Sequence, residues 1–323
     1  MTIHGVKFPL DEARVPEVRI GTAPARVVRA SSTALDVLVP EGLEGGSTPV
    51  RVADAPGETA LLEVGVRVAT GLHQVDSPAF DAAGNLYLTY SGHRGQDVPV
   101  SVFRVGRERE KQPLGPAVPN ATSVALDAQG RLHVSSRFEG SVYRLTDVHA
   151  ELVASDLGSP CGMAFGRDGT LYVGDRSGSV LQVTTGREVT VLATLPPSVA
   201  AYHLALGPDE ALYVSGPTLS SRDRVHRIDL NGQVDVLPAE FGRPQGLAFD
   251  QHGYLYVIEA LAGDTGLYRM RVDGTGAPEL VLSGVGLVGV AFDPTGGLVV
   301  TSNDTAYRFE VPLRPFRSLS SSS

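Results

Sequence analysis

One sequence unit recurs along most of this chain and constrains its fold more than any other feature. Each copy has a short apolar strand, a turn of the D-x-x-G type and a second strand that begins with a leucine. Three of the copies read "SPAFDAAGNLYLTY", "CGMAFGRDGTLYVGD" and "QGLAFDQHGYLYVIE". The leucines lie 39 to 46 residues apart, at Leu86, Leu132, Leu171, Leu212, Leu255 and Leu298.

Two further strands follow each copy, such as "SVYRL" or "SVLQV" and then "AELVA" or "VTVLATL". Four antiparallel strands that repeat about every 40 residues are typical of a propeller blade. The six copies therefore predict a six-bladed β-propeller over residues 63–312. Because one blade cannot bury both of its faces alone, we expect the blades to stack in a closed ring.

The ends of the repeat region indicate how the ring closes. The last copy ends after "TAYRFEV" and lacks its fourth strand. The segment "VGVRVATGL", just before the first copy, is similar to the strands that precede the other copies. We therefore expect residues 64–70 to complete the last blade, and residues 313–323, "LRPFRSLSSSS", to form a flexible tail.

Residues 1–62 lie outside the repeat and contain short alternating runs such as "PARVVRA" and "ALDVLVP", separated by Gly and Pro. This pattern predicts a small β-sandwich, so the whole chain is expected to be all-β. The stretches "PEVRIGTAPARVV" and "GLEGGSTPVRV" resemble the TIG/IPT immunoglobulin-like module, with its first strand missing. That resemblance implies a spacer or a surface for a protein partner.

Composition excludes several classes of partner. The net charge of −9 and the lack of a basic run argue against a nucleic-acid partner, which needs a basic face. No apolar run approaches the roughly 18 residues of a membrane helix, so no membrane span is expected. The single cysteine excludes an internal disulfide. Since "MTIHGVKFPLDEAR" lacks the apolar core of a secretory signal, we expect a cytoplasmic protein, or an exported one if the N-terminus is truncated.

The turns "DAAG", "DAQG" and "DPTG" have two interpretations. Asp and Gly favour tight turns for conformational reasons, and Asp side chains are also calcium ligands. We favour the conformational interpretation, because none of these turns has the spaced carboxylates of a calcium loop.

In a propeller, the starts of the innermost strands and the loops between second and third strands meet at one mouth of the central channel. This places a set of mostly polar residues around a single opening: Asp76, Asn120, Cys161, Tyr202, His203, Arg243 and Gln245. The loops add charged residues to this opening: Glu139, Asp175, Arg176, Asp223, Arg224, Glu259 and Asp264. Because these residues converge on a concave surface, they are the candidate binding site.

Each candidate also has a structural interpretation. Tyr202 and His203 could pack and form hydrogen bonds within the sheets, and Cys161 could be a small buried apolar residue. Asp76 could cap a turn, and Gln245 could satisfy amides at the end of a strand. The sequence leaves both sets of interpretations open.

The repeat resembles the NHL repeat, most closely in "PQGLAFDQHGYLYV" and "PCGMAFGRDGTLYV". The six copies also resemble the senescence marker protein/gluconolactonase/luciferin-regenerating-enzyme family. That resemblance implies one divalent metal at the channel mouth, with Asp76 at the position of the glutamate ligand. At three other ligand positions this chain has Cys161, Tyr202 and Gln245 instead of the residues expected in the family.

These observations favour a binding protein that takes a small polar ligand or a peptide at the channel mouth, without a cofactor. One alternative is a hydrolase of lactones or esters, in which Asp76 helps to hold a divalent metal and Glu259 or Asp175 is the general base. A second alternative is a scaffold for protein interactions.

Overall fold

The computed structural model describes residues 1–5, 8, 10, 15–53, 59–73, 77–261 and 265–309. The regular secondary structure of these residues consists of β-strands alone, so the described part of the protein is all-β, as the sequence predicted. The described residues include no helix that could cross a membrane. The chain divides into two compact units, Met1–Arg67 and Val68–Ser323.

The described strands of the first unit form one hydrogen-bonded antiparallel sheet. Its order is β1-β4-β3-β2-β5-β6. In β2, Val18 and Ile20 are buried while Arg19 between them is exposed, the alternation expected of a strand with one buried face. The six strands are β1 (Thr2–His4), β2 (Val18–Ile20), β3 (Ala23–Ala30), β4 (Ala34–Leu38), β5 (Gly46–Val52) and β6 (Ala60–Val64).

Strand β3 pairs with β4 on one side and with β2 on the other, and its register shifts between Val27 and Arg29. Hydrogen bonding is therefore continuous across the unit, and the division into two facing sheets stays a prediction. One apolar cluster, which includes Ile20, Leu35 and Val37, forms the core of the described part of this unit.

In the second unit, the described residues form six four-stranded antiparallel sheets, here called sheets 1 to 6. Sheets 1 to 3 contain β8 (Ala79–Phe80), β9 (Leu86–Thr89), β10 (Val102–Val105), β11 (Lys111–Pro113), β12 (Ala121–Leu126), β13 (Leu132–Ser136), β14 (Ser141–Leu145), β15 (Ala150–Ala154), β16 (Pro160–Phe165), β17 (Leu171–Asp175), β18 (Ser179–Val183) and β19 (Val189–Thr194). Sheets 4 to 6 contain β20 (His203–Leu206), β21 (Leu212–Ser215), β22 (Asp223–Ile228), β23 (Val234–Phe241), β24 (Pro244–Phe249), β25 (Leu255–Glu259), β26 (Gly266–Met270), β27 (Glu279–Ser283), β28 (Leu287–Phe292), β29 (Leu298–Ser302), β30 (Thr305–Phe309) and β7 (Val66–Thr70).

Sheet 6 is built from both ends of the repeat region. Its order is β28-β29-β30-β7, so the strand that precedes the first copy lies beside the last strand of the final copy. This is the position predicted for residues 64–70, and the strand begins two residues later, at Val66.

The first strands of the six sheets form a closed ring among the described residues. Strands β8, β12, β16, β20, β24 and β28 each contact the next, and β28 contacts β8. The close approach is visible at Gly162 in β16, where a Cβ atom would lie 2.5 Å from the backbone oxygen of Tyr202 and 3.0 Å from Cα of His203. These six strands are called the innermost strands below.

The core lies in the seams between neighbouring sheets. Each apolar cluster of the second unit combines side chains from two consecutive sheets, and one of them joins sheet 6 to sheet 1. The second strand of each sheet lies between two seams, and in β13, β17 and β25 every residue is buried. This explains the apolar runs that follow each leucine of the repeat.

The aspartates of the D-x-x-G turns hold their own turns together. Asp127 accepts hydrogen bonds from the backbone N–H groups of Gln129 (3.0 Å) and Arg131 (2.9 Å) and from Nε of Arg131 (2.6 Å). Asp293 likewise accepts from the amides of Thr295 (2.8 Å) and Gly297 (2.9 Å). Burial opposes ionisation of both carboxyl groups, but these donors outweigh it and lower their pKa below the usual 3.8.

Candidate functional site

The ring of innermost strands encloses an axial cavity of about 310 Å³. All six strands or the residues next to them line it. The cavity is near the lower end of the usual size for small-molecule sites, about 300 to 1,000 Å³. Each innermost strand contributes one alanine to the lining, and these are Ala79, Ala125, Ala164, Ala205, Ala248 and Ala291.

The walls of the axial cavity are mostly apolar. Besides the alanines, the lining includes large side chains such as Phe165, Phe249 and Phe292. Among its described lining residues, only Ser77 and His203 have polar side chains. His203 is 2% exposed, and its backbone pairs with Ser215 at the start of β20. A ligand inside the cavity would therefore meet an apolar surface with one imidazole and one hydroxyl group.

Exposure changes along the innermost strands. In β12, β16 and β24 the first residues are buried and the last is half-buried. In β20, His203 and Leu204 are buried while the next two residues are half-buried. These four strands are therefore more exposed toward the D-x-x-G turns than at their starts.

Asn120 uses its side chain to hold the long loop of sheet 1. Its Nδ2 donates to the backbone oxygens of Ser91 (2.7 Å) and His93 (2.8 Å), and its Oδ1 accepts from the N–H of Gly95 (2.7 Å). Asn120 has a positive φ of 46°, a conformation that asparagine tolerates better than most residues. These contacts give Asn120 a structural role at the start of β12.

Asp175 and Cys161 also bind backbone groups near the start of β16. Asp175, 7% exposed, accepts from the N–H of Ser159 (2.7 Å) and from the hydroxyl of Ser177. The thiol of Cys161 donates to the backbone oxygen of Ser159 (3.3 Å). Cys161 lies at a register shift between Pro160 and Gly162, and it is buried.

Tyr202 is packed in the seam between sheets 3 and 4. It is 2% exposed, and its hydroxyl donates to the backbone oxygen of Pro196. A Cβ atom at Gly216 would lie 2.6 Å from its ring, which shows how closely the chain passes. Burial, with a further contribution from the charge of Asp175, raises the pKa of Tyr202 to about 12. The phenol is therefore protonated at neutral pH.

The candidates of sheet 5 divide between solvent and interior. Arg243 is exposed, with a φ of 60°. Gln245 is 6% exposed, and its backbone oxygen accepts from the hydroxyl of Ser215 (2.5 Å). Glu259 is 6% exposed and pairs with Pro244 in the sheet. Its Oε1 lies close to Gly242, 2.9 Å from where a Cβ atom of that residue would be. Asp76 and Asp264 lie outside the described residues.

Of the described mouth candidates, His203 is the one that lines the axial cavity. The sequence reasoning missed the alanines, although they recur in "PAFD", "VALD", "MAFG", "LALG", "LAFD" and "VAFD". A small residue repeated at the same position of every innermost strand is the signal that could have located the cavity, because it sets the width of the channel.

Comparison with known proteins shows the fold. No protein-family model matches this sequence, and no curated protein matches it. Among solved structures, a gluconolactonase from Xanthomonas campestris has a TM-score of 0.63 at 21% identity, over 78% of this chain and 89% of that one. Virginiamycin B lyase from Staphylococcus aureus has a TM-score of 0.56 at 13% identity, over 76% and 86%. The fold is a β-propeller, similar to those of these two structures.

A third similar structure extends over both units of this chain. It is an auxiliary nutrient binding protein from Bacteroides thetaiotaomicron, with a TM-score of 0.58 at 12% identity, over 95% of this chain and 93% of that one. At these identities each likeness concerns the fold of the propeller and carries no activity.

The described residues of the propeller do not fit the divalent metal that the gluconolactonase resemblance implies. The thiol of Cys161 and the protonated hydroxyl of Tyr202 both donate to backbone oxygens. A hard divalent cation needs several oxygen donors with compensating charge. No group of three or more His, Cys, Asp or Glu side chains within the described ranges is placed to hold a metal ion.

Proposed function

We propose that this protein is a six-bladed propeller that binds a small uncharged molecule in its axial cavity. The ligand has a compact apolar body and one hydrogen-bonding group, which contacts His203. The observation that carries this proposal is the apolar cavity of about 310 Å³ with an imidazole among its lining residues. Its volume suits a small molecule better than a peptide segment.

The polar mouth deduced from the sequence contributes less to binding in this proposal. Asn120, Asp175 and Cys161 direct their polar atoms to the backbone of the protein. Groups that already hold turns and loops gain little by turning toward a ligand, because their backbone partners would then lose a hydrogen bond.

A binding role also agrees with the third structural neighbour, which is named a nutrient binding protein and resembles this chain over both units. We propose that the first unit is a TIG/IPT-like module, as its sequence suggests, and that it offers a surface to a protein partner. The propeller carries the small-molecule site in this arrangement.

The second candidate function is hydrolysis of lactones or esters, which the likeness to a gluconolactonase favours. Cys161 and Tyr202, which stand at two of that family's ligand positions, weigh against it, because both donate to backbone oxygens. Both candidates predict a ligand in the channel, whereas a protein-interaction scaffold predicts none. Binding and turnover therefore have to be measured on the same preparations.

The test compares His203→Ala with His252→Ala, a histidine exposed in the turn of sheet 5. Indole and p-cresol serve as probes by calorimetry and thermal shift, and toluene serves as a probe without a hydrogen-bonding group. We expect His203→Ala to weaken indole and p-cresol binding by about tenfold, the value of one buried hydrogen bond, and to leave toluene binding unchanged. His252→Ala leaves all three unchanged.

A further variant, Ala248→Leu, narrows the channel and should remove binding of all three probes. The proposal is wrong if no probe binds the intact chain, or if Ala248→Leu binds them as well as the original protein. Turnover of gluconolactone or p-nitrophenyl acetate that is lost on chelation and restored by a divalent metal would instead establish the hydrolase.

A further inference from the structure

A second and larger cavity, of about 570 Å³, lies in the seam between sheet 6 and sheet 1. It shares no described lining residue with the axial cavity. Its walls come from the D-x-x-G turns of both sheets, from strands β9, β10, β29 and β30, and from the turn after β10. It is called the seam cavity below.

The repeat explains why a cavity of this size forms at this seam. The second residue of each second strand is Tyr87, His133, Tyr172, Tyr213, Tyr256 and, in sheet 6, Val299. In three other seams the ring at this position packs edge-on against a phenylalanine of the next sheet. Tyr213 meets Phe249 at 4.9 Å between ring centroids, and Tyr256 meets Phe292 at 4.8 Å.

In the seam between sheets 6 and 1 the corresponding pair is Val299 and Phe80, and both residues line the seam cavity. Valine leaves empty the volume that an aromatic ring fills elsewhere in the repeat. The cavity therefore follows from one departure of the sequence from its own pattern.

The lining of the seam cavity is amphipathic. Val68, Phe80, Leu86, Val105 and Val299 give it an apolar floor. The charged residues of its rim are Arg107, Arg109, Arg308 and Asp293. Three guanidinium groups and one carboxylate therefore border the same cavity.

Arg107 is the positive group of this rim on which the proposal below depends. Arg308 in β30 forms an ion pair with Asp293, whose side chain is 3% exposed and which lies in the D-x-x-G turn of sheet 6. Arg107 is exposed, and within the described ranges no ion pair or side-chain hydrogen bond involves it. Its Nε lies 3.7 Å from where a Cβ of Gly84 would be, so the guanidinium extends across the rim. The whole chain, in contrast, is acidic, with a net charge of −9.

We propose that the seam cavity binds a small monocarboxylate with a compact apolar body. The apolar floor takes the hydrocarbon part, and the carboxylate forms a charge-assisted, bidentate pair with Arg107. Arginine suits this role, because its planar guanidinium matches a carboxylate with two parallel hydrogen bonds. This site is independent of the axial cavity and of the function proposed for it.

The test uses 2-naphthoate as the probe, followed by calorimetry or by the fluorescence of the naphthalene ring. We expect Arg107→Gln to weaken binding by about tenfold or more, since the ion-paired hydrogen bonds are lost. The control is Arg167→Gln, which removes an exposed arginine in another turn and leaves binding unchanged. The uncharged 2-naphthol should bind the original protein and Arg107→Gln equally.

Val299→Tyr tests the cavity itself, because it restores the ring that the other sheets have. We expect it to abolish 2-naphthoate binding and to leave the thermal midpoint unchanged or raised. Ala248→Leu, which narrows the axial channel, should leave 2-naphthoate binding intact. The inference is overturned if 2-naphthoate does not bind, if Arg107→Gln binds as tightly as the original protein, or if Val299→Tyr folds and still binds.

Discussion

At the scale of single residues, the aspartates of the D-x-x-G turns have a structural role, because they accept hydrogen bonds within their own turns. Asp127 has a side chain that is 4% exposed and accepts two backbone amides and the guanidinium of Arg131. Such contacts stabilise the ionised form, so the carboxylate contributes to stability only while it is charged.

We predict that Asp127→Ala lowers the free energy of unfolding by about 2 kcal/mol at neutral pH, because several charge-assisted hydrogen bonds are lost. The folded-state pKa lies below the unfolded value of 3.8, so this contribution is complete above pH 3.8 and disappears as the pH falls through the folded pKa. Denaturant unfolding of both proteins as a function of pH measures it. Asp147→Ala, at an exposed position, is the control. If the difference in unfolding free energy between the original protein and Asp127→Ala stays constant down to pH 2, the charge of Asp127 does not contribute to stability.

At the scale of elements, the innermost strands depend on glycine where neighbouring strands approach. In β16, Gly162 lies against the backbone of Tyr202 and His203. A Cβ atom at Gly162 would be 2.5 Å from the backbone oxygen of Tyr202. Backbone atoms cannot move aside as a flexible side chain can, so the distance between β16 and β20 has to increase if a side chain is added.

Gly162→Ala should therefore destabilise the propeller by about 1 to 3 kcal/mol, the usual cost of overpacking a tight core. Because β16 and β20 both line the axial cavity, the same variant should also weaken binding of indole and p-cresol. Gly186→Ala is the matched control, since its nearest atom would lie 3.6 Å from the added Cβ. Thermal unfolding and calorimetry give both readouts. Equal thermal midpoints for the two variants would contradict the close approach.

At the scale of the whole molecule, the closure of the ring depends on β7, the strand that comes before all the repeats. Arg67 is exposed in this strand, whereas Val68 and Ala69 are buried, at 8% and 6% exposure, in the cluster that joins sheets 6 and 1. The apolar side chain of Val68 is thus one of the contacts that hold the ends of the ring together.

Ala69→Asp places a carboxylate in this seam, at a position that is 6% exposed and does not line the seam cavity. We predict a loss of several kcal/mol in stability, since a buried charge without a partner is costly. Arg67→Asp changes the charge more but on the exposed side of the strand, and it should shift the thermal midpoint little. The midpoints of the two variants, measured side by side, test whether β7 is part of the closed ring. An Ala69→Asp protein as stable as Arg67→Asp would exclude that role.

Much of the fold could be predicted because its repeat is regular. The segment "SVYRL" is β14 in full, and the strand expected within residues 64–70 is observed as Val66–Thr70. The candidate site was harder, because its residues act through partners that are distant in sequence. Nothing near Asn120 in the sequence indicates that its amide holds residues 91–95. His203, by contrast, starts an innermost strand, and its place beside the channel follows from that position.

The position of β7 has a consequence for how the chain reaches its folded state during synthesis. The ribosome makes β7 before any complete sheet of the propeller. The other strands of its sheet, β28, β29 and β30, are made last of the described strands. Until then sheet 6 does not exist, and sheet 1 has an uncovered apolar face that can associate with other nascent chains. The same arrangement means that a nascent chain released before Thr305–Phe309 is translated cannot close the ring.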